Sequence, residues 1–231
     1  MQNCTKLKIW HKNFMNISMI RTKYLFIIVI CFSLGCKKDN PDDSSFNIFS
    51  IEDDIKLGQQ VRDQIASDPA QFPVLPESAN PAAYQYLKKM RDKILSSGNV
   101  FYKDKFAWEI KIIKNDSVLN AFCVPGGYIY VYTGIIKYLD KENELAGVLG
   151  HEIAHADRRH STDQLTKIYG IQLLLQVVLG KDSSTIANIA ASLVSLKFSR
   201  TNESEADEYS VKYLCPTDYQ ADGAAGFFEK I

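Results

Sequence analysis

The stretch GVLGHEIAHADRRH, residues 147–160, gathers His151, His155 and His160 into ten residues of a chain that holds four histidines. Residues four apart on a helix lie on one face about one turn apart, so HEIAH aims two imidazoles at a single point. Leu145, Val148, Leu149 and Ile153 give this helix an apolar face, and no proline interrupts it from Glu142 to Asp163. Glu152, beside the first histidine, is placed to reach a water held by a metal without binding the metal itself. Two ordinary surface histidines would give the same five letters. The readings separate on whether another element supplies a third ligand, because a catalytic zinc takes three protein ligands and keeps one position open.

The metzincin spacing would need Gly and His where this chain has Arg158 and Ser161. His160 misses that register by one, and reads as a helix-surface histidine or one packed behind the ligands. No histidine follows it, so the third ligand has to be an acid or a cysteine. A helix is expected from Ser184 to about Leu214, with Ile189, Leu193 and Leu196 on an apolar stripe. Continued by steps of three and four, that stripe meets Arg200, Glu203, Asp207, Val211 and Leu214. Acids are seldom buried unless paired or metal-bound, so Glu203 and Asp207 are the natural partners of the histidines. Glu205 and Glu208 point away from the stripe and are expected in solvent.

Residues 1–35 read as a targeting segment: Arg21 and Lys23 precede a twelve-residue apolar run, Tyr24–Gly35, too short to span a bilayer. Met19 opens this signal so well that residues 1–18 are expected to precede the true start, with Met15 as the other candidate. The sequence FSLGC, ending at Cys36, resembles a lipobox, which makes Cys36 the expected lipidation site, while Ser33, where an aliphatic residue is usual, leaves plain secretion open. Residues 36–50, with KKDNPDDSS, read as a solvated tether, and 51–231 as one domain. With 27 acidic and 27 basic side chains, the charge balance gives no reason to expect a nucleic-acid partner. Cys123 and Cys215 could pair or remain separate thiols.

The fold class expected is α+β and mainly helical. Tyr84, Leu87, Met90 and Ile94 share one helical stripe, while FAWEIKIIK alternates with Phe106, Trp108, Ile110 and Ile112 to one side. GYIYVYTG alternates again, so a small sheet precedes the histidine helix. IQLLLQVVLG and TIANIAASLVSL are too short to span a membrane and read as core helices.

NAFCVPGGYIYVYTGII, HEIAH, SRTNESEAD and ADGAAGFFEKI, in this order, resemble the zinc metallopeptidase family of CAAX prenyl proteases and HtpX-like proteases, in its soluble periplasmic lipoprotein branch. The resemblance covers roughly residues 53–231. It implies a gluzincin-type zincin domain with one Zn2+ per chain, His151, His155 and Glu203 as ligands, Glu152 as general base, and Asp207 as a carboxylate behind a ligand. It implies that GGYIYVYTG is the edge strand over the cleft, with Gly127, Tyr128 and Tyr130 meeting an extended polypeptide substrate. Ordinary strand packing accounts for the tyrosines equally well. The implied activity is an endopeptidase of the bacterial envelope, lipid-anchored on the periplasmic side of the outer membrane, acting on misfolded or misassembled proteins. The other reading is a lipid-anchored chaperone or adaptor that cleaves little. Family members continue into a Thr-His-Pro segment, so the domain reads as cut short at its C-terminus, leaving Arg200, Tyr209 or Tyr213 as candidate oxyanion donors.

If Cys36 carries the acyl chain, Cys36→Ser should move the protein from the membrane to the soluble envelope fraction with its fold intact. An unchanged distribution, with the signal found uncleaved by mass spectrometry, would contradict this.

Overall fold

The computed structural model describes residues 48–180 and 184–223, which belong to one compact unit, Ser44–Ile231. The targeting segment, Cys36, most of the tether and the FFEKI end lie outside the described residues. The elements are α1 (Ile51–Ser67), α2 (Pro81–Leu95), β1 (Glu109–Ile113), β2 (Ala121–Val124), β3 (Tyr128–Tyr132), α3 (Thr133–Tyr138), α4 (Glu142–Asp157), α5 (His160–Tyr169), α6 (Ile171–Val178), α7 (Ser184–Leu193) and α8 (Arg200–Leu214). Mainly helical with a small mixed sheet, this is an α+β fold. No helix among the described residues is long and apolar enough to cross a membrane.

Alternation along the strands divides the core in two. Ile110, Ile112, Ala121, Cys123, Ile129 and Val131 face one cluster, which α2, α4 and α8 complete. Phe106 and Trp108 join that cluster, as does the Tyr84, Leu87, Met90 and Ile94 stripe of α2. Ile113, Phe122, Val124, Tyr128, Tyr130 and Tyr132 face the other, closed by α1, α5, α6 and α7.

The strand order is β1-β3-β2, with β1 parallel and β2 antiparallel to β3. This corrects the expected edge strand: GYIYVY is the central strand, hydrogen-bonded on both sides, and β1 and β2 are the edges. Its tyrosines are core residues, with Tyr130 stacked on Phe122 at 4.9 Å between ring centroids. Gly127 lies in the turn entering β3, at φ +83°, where a Cβ would stand 3.0 Å from Phe106 Cβ and 3.1 Å from the Trp108 nitrogen. Close packing accounts for Gly127, Tyr128 and Tyr130.

Two expected helices are broken. The histidine helix ends at Asp157, Arg159 takes a left-handed conformation (φ 61°), and His160 begins α5. The Ser184–Leu214 helix divides into α7 and α8, with Ser199 capping α8 by accepting a hydrogen bond from the Asn202 amide at 3.1 Å.

The turn at Arg159 is held by a buried ion pair. Arg159 Nε donates to Asp54 Oδ2 at 2.6 Å, and Thr162 Oγ1 donates to Asp54 Oδ1 at 2.8 Å. Arg159 also donates to the Phe49 and Ser50 carbonyls, so it ties the end of the histidine helix to the start of α1. Burial raises the Asp54 pKa while Arg159 and Thr162 lower it, and the net shift is upward. The pair is therefore a poor source of net stability, yet one half without the other is costly. Arg159→Met should lower unfolding stability by about 3–5 kcal/mol in urea titration, and adding Asp54→Ala should recover part of that loss. A single variant as stable as the parent would show that the pair does not hold the turn.

Candidate metal centre

α4 and α8 pack closely because their facing residues are small: Ser210 Oγ donates to the Gly147 carbonyl at 3.2 Å, and a Cβ on Gly150 would lie 2.8 Å from Ser210 Oγ. The approach brings the second acid-bearing helix to the histidines. His151 Nε2 and His155 Nε2 face each other at 2.9 Å, and Glu203 Oε2 stands 3.4 Å and 3.9 Å from them. One ligand atom from each of the three lies within 4.8 Å of the others. Two imidazole nitrogens and a carboxylate oxygen are the donor set of a catalytic zinc, and they converge on the wall of a cleft that leaves the fourth side open.

The electrostatics fit a cation. Burial acts to lower the His151 pKa, but hydrogen bonds to Asp207 and Glu203 and the Glu152 charge outweigh it and push it up to about 10. His155, buried beside His151 and His160, is held well below the usual range. The carboxylates of Glu152, Glu203 and Asp207 thus favour positive charge at this point. Glu152 lies between its two histidine neighbours in sequence and lines the cleft. Burial pushes its carboxyl up to about 7, with His151 lowering it and Glu203 raising it, the range that suits a proton acceptor near neutrality.

Supports lie behind the ligands. Asp207 Oδ1 is 2.9 Å from His151 Nδ1. Phe198 stacks on the His155 ring at 4.0 Å between centroids. His160, buried, has Nδ1 at 3.0 Å from His155 Nδ1 and Nε2 at 3.2 Å from Glu205 Oε2. Arg158, also buried, donates from Nε to Glu205 Oε1 at 2.7 Å.

The expectation that Glu205 stands in solvent is therefore corrected: its side chain is 24% exposed, whereas those of Glu203 and Asp207 are 44% and 56% exposed. The buried face of α8 is Ala206, Tyr209, Ser210, Tyr213 and Leu214, not the continued stripe of α7. Glu203 and Asp207 sit at its margin, where the side chains can bend into the cleft. Sequence reasoning missed Arg158 and Glu205, because nothing in one sequence pairs two charges 47 residues apart. Of the three candidate oxyanion donors, Tyr213 donates instead to Asp157 at 2.6 Å and Tyr209 lies under Arg158, while Arg200 is exposed; none is among the described residues lining the cleft. Cys123 is a buried free thiol, so it is not bonded to Cys215.

A sequence model of peptidase family M48 matches residues 81–230, more than half of the chain, from α2 through the histidine helix and α8. The chain belongs to peptidase family M48. The chain is also similar to the mitochondrial metalloendopeptidase OMA1 of Arabidopsis thaliana, 31% identical over 149 residues, covering 64% of this chain and 30% of that protein. It is 26% identical over 196 residues to the beta-barrel assembly-enhancing protease of Yersinia pestis, covering 79% of this chain and 38% of that protein. It is 30% identical over 122 residues to metalloprotease YcaL of Escherichia coli K12, covering 50% of this chain and 48% of that protein. The aligned region thus spans roughly a third to a half of these relatives. M48 metallopeptidases are zinc-dependent, and His151, His155 and Glu203 are the donor group that fits this ion.

Replacing a carboxylate ligand and replacing its neighbour should have different results. Glu203→Ala should leave no zinc bound after gel filtration, by elemental analysis, whereas Asp207→Ala should weaken binding roughly 10–100-fold. Full zinc occupancy in Glu203→Ala would remove Glu203 from the ligand set.

Proposed function

We propose that this chain is the catalytic part of a zinc-dependent endopeptidase of the bacterial envelope, with a gluzincin-type site in which His151, His155 and Glu203 hold the metal and Glu152 is the general base. The observation that carries this reading is the placement of Glu152 at the cleft beside three converging ligand atoms. A site that only bound zinc would have no use for a carboxylate there. Bound zinc supplies Lewis acidity, making a water acidic and polarising the peptide carbonyl.

The chain's own residues do the rest. β2 runs along the cleft, and the Tyr132 amide donates to the Asn120 carbonyl at 3.1 Å, so the even-numbered residues of β2 turn their main-chain groups toward β3. Ala121 then turns its N–H and C=O the other way. An extended polypeptide lying on that edge would pair with it and bring one carbonyl over the ligand set, which selects for unfolded or misassembled segments over folded ones. Glu152 accepts a proton from the attacking water and returns it to the leaving amine. Asp207, Phe198 and the neighbours of His155 keep the ligand rings in place.

We propose further that residues 1–35 direct the chain to the envelope, that Cys36 is acylated on the periplasmic side, most naturally at the outer membrane, and that residues 36–50 tether a domain spanning 51–231. The name of the Yersinia relative, a beta-barrel assembly-enhancing protease, supports an envelope protease, and that of the Escherichia relative supports a metalloprotease. Unfolded polypeptide is the substrate class that an edge-strand cleft favours.

Glu152→Gln should keep zinc at one per chain while cleavage of an unfolded polypeptide falls by on the order of 10²–10⁴. Zinc lost from Glu152→Gln, or cleavage retained by it, would overturn the assigned role.

A further inference from the structure

The two histidine ligands are held differently. His151 is backed by Asp207, a largely exposed carboxylate, whereas His155 is backed by a second imidazole inside the protein. The Nδ1 atoms of His155 and His160 lie 3.0 Å apart, so one ring must donate and the other accept. His160 Nε2 faces Glu205 Oε2 at 3.2 Å, and a carboxylate only accepts. Glu205 is fixed in turn by Arg158 Nε at 2.7 Å, and the Arg158 guanidinium lies 4.4 Å from the centre of the Tyr209 ring.

One proton arrangement satisfies these contacts together and leaves the His155 Nε2 lone pair free. His160 is neutral and carries its proton on Nε2, donated to Glu205. Its Nδ1 accepts from His155 Nδ1–H. His155 Nε2 then presents a lone pair toward His151 Nε2 and Glu203. The reverse arrangement, His160 donating from Nδ1, would put the His155 proton on Nε2, where it would block the metal.

We infer that Arg158, Glu205 and His160 form a positioning relay that fixes the tautomer and ring orientation of His155, with His160 acting directly on the ligand and Glu205 acting through His160. The inference rests on the zinc site proposed above. Neither His160 nor Glu205 is itself a ligand: both Nδ1 atoms face away from the converging Nε2 pair, and Glu205 meets the far side of His160. Fixing a ligand histidine through its other ring nitrogen is worth roughly 10–100-fold in metal affinity.

The test uses the full chain and zinc in competition with a chromophoric chelator. His160→Phe keeps a flat ring but no acceptor, and should weaken zinc binding roughly 10–100-fold. His160→Asn places an amide oxygen close to where Nδ1 stood and should recover much of that affinity. Glu208→Gln, on the exposed face of α8, should bind zinc as the parent does. Should His160→Phe fail to fold, the parent still decides: long-range ¹H–¹⁵N correlation spectra of the zinc-loaded, histidine-labelled chain should show His155 protonated at Nδ1 and His160 at Nε2. Parental zinc affinity in folded His160→Phe, or a proton on His160 Nδ1, would overturn the relay. His155→Ala separates the two claims. If it keeps zinc, the ligand set itself is wrong; if it loses zinc while His160→Phe does not, only the relay fails.

Discussion

The structure depends on how closely α8 approaches α4. The ligand nitrogens belong to one helix and the ligand carboxylate to the other, and an imidazole and a glutamate can meet only if the backbones come near each other. Gly147, Gly150 and Ser210 remove the side-chain bulk that would keep the helices apart, and Ser210 bridges the seam to the Gly147 carbonyl. Tyr209, Tyr213 and Leu214 then fill the apolar remainder. The seam costs some intrinsic helix stability, since glycine is a poor helix former. It gives in return a separation short enough for three ligand atoms to share one ion.

The sheet sets the other wall of the cleft. With β3 buried between β1 and β2, its side chains are committed to the two core clusters, and β2 is the edge strand that lines the cleft. The helix break at Arg159 has a matching role at the far end of α4. By turning the chain there, it brings His160 behind His155 and, through Asp54, fastens α1 to the same corner.

The legible parts of the sequence were those governed by local periodicity. His151 and His155 four apart, the Tyr84 to Ile94 stripe of α2, and the alternation of Ile110 and Ile112 depend only on helix and strand repeats. The breaks after Asp157 and Leu193 were not legible, because neither has a proline or glycine to mark it. One depends on an arginine held in a left-handed conformation by a buried aspartate more than 100 residues away in sequence. The stripe argument for Glu203 pointed to a residue that does approach the histidines, although the helix it assumed is broken and the buried face of α8 is a different one. Its error showed at Glu205, which a uniform helical repeat turned to solvent and which Arg158 and His160 in fact engage. Reading β3 as the edge strand failed for a related reason: alternation gives the two faces of a strand but not its place in a sheet.

The central claim is that one zinc ion is held by two imidazoles of α4 and one carboxylate of α8. X-ray absorption at the zinc edge of the loaded chain tests this directly, since imidazole rings, light oxygen donors and sulfur scatter differently. The account predicts a low-coordinate zinc with two imidazoles, the remaining ligands oxygen and no sulfur. A sulfur ligand, which would implicate Cys123, or a third imidazole, which would make His160 a ligand, would contradict it.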